Sequence, residues 1–208
     1  MDEIKKPGYE TTQELWSGNP KYLKKFVDKK IIPFLKIKNE DYCYDMGEKN
    51  PRMEYIKERY KDLQFEINVI QINLDDFNFD WIFSPFPEAD IVFAFEIIEH
   101  LQNPLYFMSQ LKKITDGSIY VIMPCNPRWL WHKMHFFEMN RKHFEKWILN
   151  PLDLKIIRYK KIIFVSSWKA YLIGFRPLIR LLTGKRTLND LFRSLFAIQW
   201  GIYEIRKV

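Results

Sequence analysis

Ala89-Asp90-Ile91-Val92-Phe93-Ala94-Phe95 and Gly117-Ser118-Ile119-Tyr120-Val121-Ile122-Met123-Pro124 are two apolar runs of strand length with almost no charge. A run that is apolar at successive positions puts hydrophobic side chains on both faces of a sheet. Both faces must then be covered, as in the interior strands of a parallel sheet. Between the runs, Asn103-Pro104 supplies an N-cap followed by proline at the first helical position, and Phe107, Met108 and Leu111 recur at helical spacing. The pattern predicts a strand–crossover helix–strand unit with parallel strands. Ligands of such sheets collect beyond the carboxyl ends of the strands. Here those ends carry Glu96, Glu99 and His100 after the first run, and Cys125 and Asn126 after the second.

The same pattern extends along the chain. Asn19 to Lys36 reads as an amphipathic helix, with Tyr22, Leu23, Phe26, Ile31 and Ile32 among lysines and Pro33 ending or kinking it. Asp41 to Met46 is a weak first strand. Asn50-Pro51 repeats the cap-plus-proline signature before Met53, Ile56, Tyr60 and Leu63 at helical spacing. Phe65 to Ile72 reads as a second strand. Asn140 is placed to cap a helix with Phe144, Trp147 and Ile148 facing inward, and Leu152 to Phe164 and Ile198 to Ile205 read as the last two strands. No repeat or low-complexity tract interrupts the pattern.

Composition leaves this reading intact. A chain of 208 residues with 47% hydrophobic content is expected to form one domain, residues 1–208, with a core that needs no staples. Cys43 and Cys125 lack metal or redox spacing and fall on or beside apolar strands, so both read as reduced structural thiols. Residues 1–9 are polar and no uncharged run approaches the length of a membrane span, so the chain is expected in the cytoplasm. The net charge of +7 is uneven: Lys155 to Val208 carries +10 and the remainder −3. The segment 166–196 lies between the last two predicted strands and mixes Trp168, Tyr171, Leu172 and Phe175 with Arg and Lys. It reads as a helical insertion suited to ordinary packing, to capping a substrate pocket, or to peripheral contact with a membrane. No nucleic-acid-binding motif accompanies the charge, so nucleic acid is not an expected partner.

The stretch from Asp90 to Pro124 resembles class I S-adenosylmethionine (SAM)-dependent methyltransferases, and among them the type 11/type 12 group: an Asp-led apolar strand, Glu99-His100-Leu101, a helix, a Gly turn, and a strand ending in proline. His135-Phe136-Phe137-Glu138 resembles the His-Phe-x-Glu stretch that follows the fifth strand in that family. The likeness covers roughly residues 40 to 160. It implies an α/β, Rossmann-like, three-layer sandwich with a mostly parallel sheet and an antiparallel last strand, SAM as cofactor, and transfer of a methyl group to oxygen or nitrogen of a small-molecule, glycan or lipid-like acceptor. The family's first motif is an acidic residue, an apolar residue, then Gly-x-Gly-x-Gly. Asp45-Met46-Gly47-Glu48-Lys49-Asn50-Pro51 keeps the acid and the first glycine, while Lys49 and Pro51 replace the other two. The loop also resembles the Gly-Glu-x-Asn-Pro turn of a methyltransferase-like subgroup. The resemblance thus assigns Asp45, Gly47 and Glu48 to the methionine end of the cofactor. The family's ribose-binding acid is absent; Gln71 and Asn73 stand at that strand end, with Asp75 and Asp76 following, as candidates for the nucleoside. Glu96 and Glu99 would shape the pocket. The span from Asp45 to Glu99 is short for the family, consistent with one trimmed strand–helix unit.

Methyl transfer from a sulfonium needs in-line placement and, for oxygen or nitrogen acceptors, sometimes a base. His135 and Glu138 are the candidate catalytic pair; His100 is divided evenly between packing and a site role. His132-x-x-His135-x-x-Glu138 has metal-ligand residue types but no zinc signature, so no metal is expected. His143 reads as solvated. Two rivals remain open: a catalytically inactive methyltransferase-like module that binds a partner or membrane surface through its basic C-terminal region, and a nicotinamide-dependent oxidoreductase, which lacks the expected Gly-x-Gly-x-x-Gly.

Overall fold

The two apolar runs lie side by side as parallel strands at the centre of a six-stranded sheet. The computed structural model describes residues 24–38, 41–46, 51–60, 67–69, 88–126, 135–164 and 198–208. Within them run β1 (Cys43–Asp45), α2 (Pro51–Arg59), β2 (Ile67–Val69), β3 (Ala89–Phe95), α3 (Pro104–Ile114), β4 (Thr115–Pro124), β5 (Leu154–Phe164) and β6 (Ile198–Lys207). A helical segment over 24–34, α1, precedes β1, and another over 141–152, α4, precedes β5. The strand order is β2-β1-β3-β4-β6-β5. β1 to β4 are parallel, and β6 runs antiparallel between β4 and β5. The expected α/β sandwich with a parallel core and an antiparallel last strand is therefore the observed one.

Alternation along the central strands divides the core in two. Val92 and Ala94 of β3 and Ile119, Val121 and Met123 of β4 face Phe107, Met108 and Leu111 of α3 and Phe144, Ile148 and Leu149 of α4. Ile91, Phe93 and Phe95, with Tyr120 and Ile122, face the other way, against Phe26, Val27 and Ile31 of α1 and Met53 and Ile56 of α2. These are the two covered faces that continuous apolar runs require. Asn103 caps α3 as expected, its side chain accepting the Tyr106 N–H at 3.0 Å. Asn140 caps α4 in the same way, through His143 N–H at 3.0 Å. Pro33 falls in the tight 3-10 turn Ile32–Phe34 that closes α1.

Several local choices fix the register. Asp90 holds the weak strand β1 in place: its carboxylate accepts the Tyr42 N–H at 2.8 Å, and its own N–H donates to the Tyr42 carbonyl at 2.8 Å. Gly117 sits in a bulge where β4 crosses Asp90, and a Cβ there would lie 1.9 Å from the Asp90 carbonyl oxygen. Only glycine permits that approach. Part of the C-terminal basicity is internal: Arg158 and Arg206 both ion-pair with the buried Glu204, which also accepts from Ser118. Cys43 and Cys125 are buried free thiols.

One expectation fails. Trp147 is 63% exposed, not inward. Glu145–Leu149 is wound as a π-helical turn, and the wider winding turns Ile148 and Leu149 inward with Phe144 while Trp147 rotates to solvent. The predicted insertion 166–196, most of the span between β2 and β3, and the first helical turns from Asn19 lie outside the described residues. Among the described residues, no helix is long and apolar enough to cross a membrane.

Candidate active site

From β1 the chain passes to β2 on one side and then to β3 on the other, so the carboxyl ends of β1 and β3 form the topological switch point of the sheet. Asp45 closes β1 there. It is buried, and among the described residues no ion pair holds it. Burial pushes its carboxyl up from 3.8 to about 7; Lys57 pulls against that rise and Glu54 adds to it. The following Met46 N–H donates to the Phe93 carbonyl at 2.8 Å, which ties the end of β1 to β3.

Across the crevice, Glu96 follows β3 directly. Its N–H still donates to the Ile122 carbonyl of β4 at 2.7 Å, but its φ is 58°, in the left-handed region that residues other than glycine rarely adopt. Its carboxylate forms an ion pair with the buried Arg52, which comes from the first turn of α2 and lies 4.6 Å from the ring centroid of Trp200 on β6. Arg52 thereby links α2, the end of β3 and β6. Sequence reasoning missed it because its partner is 44 residues away and no local pattern marks the pair.

The second part of the site is built on the 3-10 turn Ile98–His100. Glu99 is 2% exposed, and among the described residues its Oε2 has no hydrogen-bond partner. Burial first, and then the Glu96 carboxylate, hold its carboxyl well above the usual carboxylate range. The Glu99 carbonyl accepts the Phe136 N–H at 2.8 Å, which draws the segment carrying His135 onto the turn. The His100 and His135 rings meet edge to face with centroids 4.7 Å apart.

His135 is held from behind. Its Nδ1 lies 2.6 Å from Glu138 Oε1. Glu138 Oε2 accepts from Asn126 Nδ2 at 2.7 Å, and Asn126 Oδ1 accepts the Gln199 N–H of β6 at 2.8 Å. The carboxylate accepts, so the ring proton sits on Nδ1 and Nε2 carries the lone pair. The structure thus brings together His135, Glu138 and Glu99, and adds His100 and Asn126 to them. Asp45 and Glu96 stand at the switch point. Gly47, Glu48, Gln71, Asn73, Asp75 and Asp76 lie outside the described residues, as does His132. His143 is exposed, as expected.

No family profile matches the chain, and no curated protein matches it significantly in sequence. The fold does match solved structures. A candidate methyltransferase from Bacillus halodurans C-125 aligns with a TM-score of 0.55 at 11% identity, over 86% of this chain and 97% of that one. A candidate sarcosine dimethylglycine methyltransferase from Galdieria sulphuraria aligns with a TM-score of 0.52 at 10% identity, covering 94% of this chain and 84% of that one. Phosphoethanolamine N-methyltransferase 2 from Haemonchus contortus, solved with phosphomonomethylethanolamine and S-adenosylhomocysteine, aligns with a TM-score of 0.51 at 13% identity. That match covers 92% of this chain but only 52% of the other, so this chain spans about half its length. At such identities the likeness establishes the fold, a Rossmann-like methyltransferase sandwich, and function has to be argued from the site.

Proposed function

We propose that the protein is a SAM-dependent methyltransferase of the type 11/type 12 kind. It would transfer a methyl group to an oxygen or nitrogen atom of a small-molecule, glycan or lipid-like acceptor. The observation that carries the reading is Asp45: a buried carboxyl at the switch point of a methyltransferase fold, raised to about 7 by burial. A carboxyl desolvated in this way suits a cationic ligand group, and the ammonium of SAM's methionine end is one. Asp45 is therefore suited to that end of the cofactor. Gly47 and Glu48 would complete the methionine end, Gln71, Asn73, Asp75 and Asp76 the nucleoside, and Glu96, braced by Arg52, the pocket wall beside Glu99.

SAM supplies the methyl group on an activated sulfonium. The chain supplies position and a proton acceptor. His135 Nε2 would take the acceptor's proton, and Glu138, on Nδ1 at 2.6 Å, would fix the ring and stabilise it once protonated. Asn126 and the β6 backbone hold Glu138 in turn. The cytoplasm is the proposed compartment, and the basic, aromatic 166–196 segment is the proposed contact for acceptor or membrane.

The test is isothermal titration of SAM and S-adenosylhomocysteine into the purified protein and its Gly47→Arg variant. Micromolar binding by the parent, lost in a folded variant, supports the proposal. Absence of heat with either ligand from folded parent protein contradicts it, and leaves partner binding through the basic C-terminal region as the better account.

A further inference from the structure

We propose that Glu99, His100 and His135 form a binding site for a first-row divalent transition cation. One donor atom from each lies within 4.8 Å of the others. Bonds of about 2.1 Å to a shared cation place such donors roughly 3–4 Å apart, so closure of about 1 Å by side-chain rotation completes the set. The cluster is not a product of local spacing. Glu99 and His100 are adjacent in a 3-10 turn pinned by His100 N–H to the Ile97 carbonyl at 2.9 Å, and His135 is brought to that turn by the Phe136–Glu99 backbone bond at 2.8 Å.

Two further observations point to a cation. The buried Glu99 Oε2 has no hydrogen-bond partner among the described residues, and a carboxylate oxygen in that position calls for a positive ligand. Behind His135 stands the support that a ligating imidazole needs: Glu138 on Nδ1, itself held by Asn126. A carboxylate on the far ring nitrogen fixes the tautomer and strengthens the ligand, so ligation falls to Nε2. His100 and His135 are only partly buried, which gives an ion a path from solvent.

Two imidazoles and one carboxylate suit Zn2+, Mn2+ or Fe2+ rather than Ca2+ or Mg2+, which prefer all-oxygen sets. Three protein ligands leave positions open for an oxygen ligand. On the methyl-transfer reading, such a site would favour hydroxyl acceptors, which a bound cation makes more acidic. With a cation bound, His135 would be its ligand rather than the proton acceptor; the cation would acidify a bound hydroxyl, its proton would pass to solvent, and the oxygen would take the methyl group as the sulfonium becomes a thioether.

The experiment uses tag-free, EDTA-treated full-length protein, titrated calorimetrically with ZnCl2 and MnCl2 and checked by metal analysis after dialysis. One cation per chain is expected. Glu99→Gln and His100→Ala should each weaken it at least tenfold, and Glu138→Gln, a positioning change, about 10- to 100-fold. His143→Ala, outside the cluster, should leave it unchanged. Thermal unfolding of each variant separates loss of a ligand from loss of the fold. Folded parent protein that binds no cation overturns the site, as does a folded His100→Ala/His135→Ala double variant that binds as the parent does. SAM is titrated into the same samples. SAM heat without metal binding removes the metal site and keeps the methyltransferase reading; metal binding without SAM heat supports the site and removes that reading.

Discussion

The Arg52 guanidinium is buried against the Trp200 ring and ion-paired with Glu96, the residue that leaves β3 in a left-handed conformation. A non-glycine residue at such a φ costs of order 1 kcal/mol or more and persists only when its surroundings hold it. Removing one partner of a buried pair leaves the other charge uncompensated. Arg52→Met should therefore destabilise the protein by about 3 kcal/mol. The Arg52→Met/Glu96→Gln double variant should recover part of that loss in urea unfolding. Strictly additive single and double variants would show that the pair is not coupled.

Asp45 predicts a pH dependence with a definite sign. Its carboxyl rises from 3.8 to about 7 on folding, so between those values the folded chain holds a proton that the unfolded chain has released. The Asp45 contribution to stability is fully present below about pH 4 and is lost as pH rises through 7, by about 4 kcal/mol for a shift of this size. Asp45→Asn abolishes this dependence. The variant should be the more stable protein at pH 8, and the difference should shrink toward pH 4 in denaturant titrations.

Gly117 and Phe144 set the scale for packing changes. Gly117→Ala drives a Cβ into the Asp90 carbonyl, backbone against backbone, and should cost about 3 kcal/mol. Phe144→Ala empties a buried ring site and should cost about 3–5 kcal/mol. Trp147→Ala, on the solvent side of the same helix, should stay within about 0.5 kcal/mol. Equal losses at 144 and 147 would contradict the π-helical winding.

Both thiols should be inert in the native state. Burial pushes Cys43 up to about 12 and Cys125 up to about 11, so little thiolate forms at pH 8. Alkylation at pH 8 should follow unfolding, with both sites modified only in denaturant. Rapid labelling of the folded protein would contradict their burial.

The parts legible from sequence are those encoded over short range. The β3–α3–β4 unit follows from two apolar runs and the Asn103-Pro104 cap, and Glu99, His100 and Asn126 beyond its strands do gather around His135 and Glu138. β1 was weak as a pattern because three residues carry little periodicity; pairing with Asp90 makes it a strand. The Arg52–Glu96 pair and the meeting of His100 with His135 were hidden for a different reason. Each joins residues more than thirty positions apart, and only the sheet order brings them together. His135 and Glu138 were marked by spacing and resemblance, whereas Asn126 behind them depends on β6 lying beside β4. Trp147 was misplaced because 3.6-residue periodicity was applied to a wider turn.

On the proposed function, SAM binds at the switch point with its ammonium against Asp45. The most direct test of that contact is SAM affinity measured by calorimetry from pH 6 to pH 8 in the parent and in Asp45→Asn. With a carboxyl near 7 in the ligand-free protein, ionisation should tighten binding about tenfold across that range, and the variant should bind weakly with no such slope. Binding that is equally strong and equally flat in both proteins would contradict the account.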